Sequence, residues 1–227
     1  MVCLIIFHIL YLMDNISIII RNRNENEYIG FAIQSCLDHF DKPEIIIVDN
    51  NSNDDSLQTV NLFKDRTTIK VISINDYTPG KSINLGVKHT TKDIVLVLSA
   101  HAQIIKVNLL KIQLDLTNDY VAVFGQQNPI YKGKKITKRY IWSHFKKTRI
   151  KNMYSQIEDR QFLHNAFCFY NKQFLLDHPM PEQYAGKEDR YWAIDIIDKG
   201  YNYYYDGINQ QCNHFYTNNG ATWKGIG

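Results

Sequence analysis

Short apolar runs recur along the chain, and each stops abruptly at polar residues. Ile16 to Ile20 runs into Arg21-Asn22-Arg23-Asn24-Glu25. Glu44 to Val48 runs into Asp49-Asn50-Asn51-Ser52-Asn53-Asp54-Asp55, and Ile94 to Leu98 into Ser99-Ala100-His101. Short apolar runs without alternation are the pattern of strands covered on both faces, as in a parallel sheet. After the first run, Ile29, Ile33, Cys36, Leu37 and Phe40 recur at the spacing of one helical face, and Asp41-Lys42-Pro43 ends that helix. A second helix is predicted to begin near Asp54 or Ser56, with acidic residues in its first turn. Ile69 to Ile74 is a further strand, and Pro79-Gly80 turns the chain into a helix from Lys81 to His89. The order β-α-β-α-β-α-β predicts an α/β fold: a Rossmann-like, mostly parallel sheet with right-handed crossovers, flanked by helices.

The second half is less regular. Val121 to Phe124 and Phe162 to Tyr170 read as strands, and Tyr201 to Tyr205 as a last one. Tyr131 to Gln161 is basic and aromatic with no clean period, which predicts a surface excursion or flexible loop. Gly186-Lys187-Glu188-Asp189 precedes a helix with Trp192, Ile196 and Ile197 on its apolar side, ended near Lys199-Gly200. From His214 to Gly227 the chain is polar and Gly-rich, so a mobile tail is expected.

Composition narrows the class. With 227 residues, 44% hydrophobic and 22% charged, the chain has the make-up of a soluble globular domain. A net charge of +3 suits an anionic ligand but is no nucleic-acid footprint. Cys3, Cys36, Cys168 and Cys212 are scattered and form no CxxC pair, which points to buried thiols in a reducing, cytoplasmic setting. Val2 to Leu12 is apolar apart from His8, too short to span a bilayer, and without the basic start and cleavage site of a signal peptide. Residues 1–13 are therefore read as an extra N-terminal segment before one domain over 14–227. A peripheral membrane contact is the alternative reading of that segment.

In open α/β sheets, ligands bind beyond the carboxyl ends of the strands. Ser99 and His101 lie at such an end and, two apart, point to one side of the chain. Four segments now resemble a known family. Ile45-Ile46-Ile47-Val48-Asp49-Asn50-Asn51-Ser52 looks like the V-D-x-x-S turn of family 2 glycosyltransferases, which have the GT-A fold. Gly80-Lys81-Ser82-Ile83-Asn84-Leu85-Gly86 resembles their G-(R/K)-x-x-N-x-G segment, and Gly186 to Trp192 their E-D motif and following helix. Leu98-Ser99-Ala100-His101 stands in the place of D-x-D, with both carboxylates missing, and is similar to the S-A-H form of some members. Four motifs in the expected order, over roughly Ile16 to His214, make the resemblance specific.

The resemblance implies a GT-A-like single domain and inverting transfer of a sugar from a nucleotide-sugar donor, UDP-type, to a hydroxyl of a glycan or lipid-linked glycan. Such a site must hold a base, a ribose and a diphosphate, and must stabilise charge as the diphosphate leaves. Asp49, closing a buried strand, is placed to accept the N3–H of a uracil-like base, although Asp at such a place also serves as a local cap. Glu25 is a candidate for the ribose or base, or an ordinary solvated turn residue. Lys81 is a candidate for the nucleotide or its phosphates, where an isolated Lys would otherwise be a surface residue. Asn22, Asn84 and Ser99 complete the donor set.

His101, with His214 delivered from the tail, would bind a divalent metal. Mn²⁺ suits neutral imidazoles better than Mg²⁺ does, and a hydrogen-bonded His at a strand end is the alternative. Asp189 is the candidate general base, with Glu188 orienting it or exchanging roles; acidic residues at a helix start are also favoured as caps. Trp192 is a candidate to stack on a sugar, or a core residue. Gln127 and Asn165 are candidates for the acceptor or donor sugar. Against the enzyme stands a catalytically inactive nucleotide- or glycan-binding homologue, for which the missing D-x-D argues. The intact Glu188-Asp189 pair argues for the enzyme. A nucleotidyltransferase would want a Gly-rich phosphate loop near the N-terminus, and Arg21 to Glu25 contains no Gly.

Overall fold

The computed structural model describes residues 16–118, 120–131, 134–135 and 140–217. In chain order the elements are β1 (Ile16–Asn22), α1 (Asn26–His39), β2 (Glu44–Asp49), α2 (Ser56–Asn61), β3 (Ile69–Ser73), α3 (Pro79–Val87), β4 (Ile94–Ser99), β5 (Ala102–Lys106), α4 (Leu109–Asn118), β6 (Ala122–Phe124), β7 (Gln126–Tyr131) and β8 (Lys134–Lys135). After a 3-10 turn at Tyr140–Ser143 come β9 (Arg149–Lys151), β10 (Tyr154–Ser155), β11 (Arg160–Gln161), β12 (Phe167–Asn171), α5 (Lys172–Asp177), α6 (Glu188–Asp198), β13 (Tyr203–Asp206) and β14 (Gln211–Phe215).

An eight-stranded sheet in the order β3-β2-β1-β4-β12-β6-β13-β9 forms the centre. Its first four strands are parallel, as the β-α repeat predicts. β12 enters antiparallel between β4 and β6. The unbroken apolar runs are explained by burial on both faces. Ile19, Ile46, Val48, Val95 and Val97 pack into one core, and the alternate residues Ile18, Ile20, Ile45, Ile47, Leu96 and Leu98 into the other. A four-stranded sheet, β5-β14-β7-β8, lies outside this frame. β14 pairs antiparallel with β5 and parallel with β7.

Two expectations change. The excursion from Tyr131 to Gln161 is not merely a surface loop: Trp142, Phe145 and Met153 are buried in the core, and β9 extends the main sheet along β13. Its apolar residues dock one at a time from irregular backbone, so they show no period. The tail does not begin at His214. His214 and Phe215 belong to β14, where pairing on both sides fixes them. Residues 1–15 and 218–227, hence the apolar segment and the rest of the tail, lie outside the described residues. Among those described, no helix is long and apolar enough to cross a membrane.

Candidate active site

Strand register brings the first candidates together. Asn22 is the Cα partner of Asp49, and Arg21 that of Ser99, so all four stand at one carboxyl edge. The turns that leave this edge need left-handed backbone, at Asn24 (φ 54°) and Asn51 (φ 50°). Asn tolerates that conformation better than most residues, which accounts for the Asn-rich turns. Asn22 Nδ2 donates to Asp49 Oδ1 at 2.8 Å, and the Ser52 hydroxyl and backbone N–H donate to the same carboxylate at 2.6 and 3.0 Å. Asp49 is thus buried and held rigid by three hydrogen bonds.

The G-K-S-I-N-L-G segment is explained by packing. A Cβ on Gly80 would meet the Pro181 carbonyl oxygen at 2.2 Å, and one on Gly86 would meet Ile19 Cγ2 at 2.7 Å. Asn84 clamps the facing chain: its Nδ2 donates to the Met180 carbonyl and to Glu182 Oε1, both at 2.9 Å, and its Oδ1 accepts the Met180 N–H at 2.9 Å. That clamp fixes the 180–182 stretch from which the chain runs on to Glu188. Lys81 Nζ, near the start of α3, pairs with the exposed Asp76. Neither Lys81 nor Asn84 is joined by a hydrogen bond to the Asn22–Asp49 network among the described residues.

Glu188 and Asp189 open α6, but neither is its N-cap, which is Lys187. Both are held by the 164–166 stretch, which β12 brings to the end of β4; the Ser99 N–H donates to the Ala166 carbonyl at 3.0 Å. Asn165 Nδ2 donates to Glu188 Oε1 at 3.2 Å, and its backbone N–H donates to Asp189 Oδ2 at 3.3 Å. The Tyr170 hydroxyl donates to Asn165 Oδ1 and fixes the amide's orientation. Arg21 Nη1 reaches Glu188 Oε1 at 3.4 Å. Burial opposes the Arg21 charge, but Tyr77, Glu188 and Asp189 more than offset it and hold the guanidinium protonated. Burial, then the neighbouring Glu188 charge, pushes the half-buried Asp189 up to about 7.

At the other end, the His101 and His214 rings stack, centroids 4.9 Å apart and 6° from parallel. Glu25 Oε1 meets His101 Nδ1 at 3.1 Å and accepts the Thr217 hydroxyl at 3.2 Å. Glu25 therefore orients His101. Burial first, then His101, His164 and Arg21, depress the His214 pKa well below the ordinary imidazole value. Its ring is neutral, and its Nδ1 is buried with no hydrogen-bond partner. Among the described residues no three His, Cys, Asp or Glu side chains converge as a metal cage. His101, oriented by a carboxylate in the manner of metal-binding His, and His214 beside it are the residues here that could hold an ion, but their rings lie parallel and would have to turn for both to reach one ion.

Trp192 is 1% exposed, edge-on to Tyr170, and donates Nε1–H to the His178 carbonyl at 2.7 Å. It is a core residue with no free face for a sugar. Gln127 is buried on β7, in register with Cys212, and no hydrogen bond joins it to the Asn165 cluster among the described residues. Sequence reasoning did not single out Arg21, His164, Tyr170 or Thr217. Arg21, charged yet one residue short of the end of a buried strand, was the one visible signal.

The profile of glycosyl transferase family 2 matches residues 17–178. The chain belongs to that family. Comparison with curated protein sequences returns no match. Solved structures with this fold include S. aureus TarS 1-349 in complex with UDP-GlcNAc, at 20% identity and a TM-score of 0.69, covering 91% of this chain and 60% of that one. The mannosyltransferase PcManGT from Pyrobaculum calidifontis, in complex with GDP-Man and Mn²⁺, is 16% identical with a TM-score of 0.67, covering 92% and 59%. GalNAc-T7 with UDP, GalNAc and Mn²⁺ is 12% identical with a TM-score of 0.67, covering 89% and 44%. The chain thus spans about three fifths or less of these proteins. The fold of this family 2 member is GT-A, with its mostly parallel sheet flanked by helices.

Proposed function

We propose that the protein transfers a sugar from a UDP-type nucleotide donor to an acceptor hydroxyl with inversion, Asp189 being the general base. The observation that carries this reading is the Asp189 carboxyl itself. It is held by two backbone N–H groups, Asn165 at 3.3 Å and Arg190 at 2.8 Å, and has a pKa near 7. A base with that pKa takes a hydroxyl proton at neutral pH and still returns it to water. Glu188, paired with Arg21 and bonded to Asn165, positions Asp189. A protein that only binds has no need of a carboxylate held near neutrality, which favours the enzyme over the inactive homologue.

On the donor side, the reading assigns Asp49 to the nucleobase, with Asn22 and Ser52 fixing its carboxylate. Ser99, at the end of β4, lies between that edge and Asn165. His101 and His214 would hold a divalent ion, with Mn²⁺ fitting the nitrogen donors better than Mg²⁺. Such an ion would supply positive charge to the leaving diphosphate. Glu25 keeps His101 Nδ1 engaged, so that Nε2 is the nitrogen left for a ligand. The acceptor is assigned as a glycan or lipid-linked glycan. Asp189→Asn under steady-state conditions tests the reading: turnover should fall by about 10²–10⁴-fold while UDP affinity holds, and wild-type turnover would remove Asp189 as the base.

A further inference from the structure

Beside Asp189, positive and imidazole side chains gather around one aromatic ring. His144 stacks on Phe162 at 4.3 Å between centroids, His164 lies at 4.5 Å, and the Arg160 guanidinium carbon at 5.4 Å. Arg190, next to Asp189 on α6, acts on both His164 and Arg160 as a like charge. Burial, then Arg160, Arg190 and His144, depress the His164 pKa well below the ordinary imidazole value. His164 Nε2, His144 Nδ1 and Arg160 Nε are all buried without a hydrogen-bond partner. Natural proteins leave few such groups unpaired unless a ligand or water meets them. Glu158 pairs with Arg160 and offsets one charge. The Arg190 guanidinium makes no hydrogen bond or ion pair among the described residues.

We propose that this cluster is an anion subsite that takes a phosphate group carried by the acceptor, beside the hydroxyl that reacts. The inference rests on the reading of Asp189 as base. Its place in the fold favours it over a second hold on the donor. The donor candidates Asn22, Asp49 and Ser99 end β1, β2 and β4, whereas Arg160, His164 and Arg190 come from the wall that carries Asp189. Guanidinium and imidazole N–H groups from four side chains suit the oxygens of a tetrahedral phosphate better than a two-oxygen carboxylate. The stretch 131–161, which supplies His144 and Arg160, holds ten Lys or Arg against two acids. Because the whole chain is only +3, the remainder is net negative. Positive charge so concentrated along the chain suits an anionic partner.

The test is calorimetry on the full chain with glycerol 3-phosphate, glycerate and glycerol, each with and without saturating UDP. Glycerol 3-phosphate should bind in the presence of UDP, glycerate more weakly, and glycerol not at all. Arg190→Gln should weaken glycerol 3-phosphate at least about tenfold, the loss expected for one charge-assisted hydrogen bond, and leave the UDP affinity and melting temperature unchanged. His164→Asn should weaken it as well, while Lys88→Gln, an exposed cation elsewhere, should not. Displacement of glycerol 3-phosphate by UDP, or an equal loss of UDP affinity in Arg190→Gln, would assign the cluster to the donor diphosphate and overturn the proposal. So would equal binding of glycerate, or no binding of glycerol 3-phosphate at all. Failure of the underlying reading shows elsewhere, as an Asp189→Asn variant that keeps wild-type turnover.

Discussion

Removing the Asp189 charge should slow the enzyme and stabilise the fold, and both effects can be sized from the structure. The carboxyl is raised from 3.8 to about 7, chiefly by burial and then by Glu188. Three units at 1.36 kcal/mol each give about 4 kcal/mol, which partial exposure reduces to about 2 kcal/mol. The sign follows from proton binding. Between pH 3.8 and 7 the native state holds a proton that the unfolded chain has released, so stability falls steadily across that range and levels off above 7. Asp189→Asn never ionises and escapes that loss. It also gives up one of two backbone hydrogen bonds, from Asn165 or Arg190, at about 1 kcal/mol. The net gain is about 1 kcal/mol at pH 8, or about 2–4 °C in Tm for a chain of this size, and it disappears near pH 5, where little of the charge cost has built up. Turnover should fall about 10²–10⁴-fold in the same variant. Melting curves at pH 5 and 8 beside steady-state kinetics measure both. A variant that is slow but equally stable at both pH values would refute the buried charge; one that is more stable at pH 8 but fully active would refute the base.

Further outcomes follow from the same geometry. The wild-type kcat/KM should drop about tenfold per pH unit below pH 7, as Asp189 takes up its proton, and a profile flat to pH 5 would contradict this. Asp49→Ala should raise the UDP Kd at least about tenfold and lower stability by about 1–3 kcal/mol, because Asn22 Nδ2 loses its buried acceptor; titration calorimetry and denaturant melts report both. His101→Ala and His214→Ala should each abolish any Mn²⁺-dependent part of UDP binding, and wild-type binding unchanged by EDTA would show that the histidines do not act through an ion. Gly125→Ala should destabilise by about 1–3 kcal/mol without changing donor affinity, since its Cβ would stand 2.6 Å from the Phe167 ring and 2.7 Å from the Gln210 carbonyl oxygen.

The strands β1, β2 and β4 and the helix α1 were legible in the sequence because burial on both faces forces unbroken apolar runs, and burial of one helical face forces a 3.6-residue period. That Asp49 and Ser99 close strands and Asp189 opens a helix was legible for a related reason: polar residues at the ends of such elements have few positions in space. Sequence spacing could not place partners that meet across the fold. Asn165 lies 23 and 24 residues before the carboxylates it holds, and Thr217 lies 192 residues after Glu25. Only β12, inserted antiparallel beside β4, sets Asn165 at the end of that strand. Only β14, paired between β5 and β7, turns a polar tail into a wall and lays His214 on His101. Trp192 shows the reverse limit: its position one turn after Glu188-Asp189 suits a sugar platform and a core residue equally. Packing against Tyr170 and Phe174 decided for the core. Local pattern fixes which residues must be buried and where strands end. Which buried groups then face one another is set by strand order, a long-range choice that no short stretch of sequence contains.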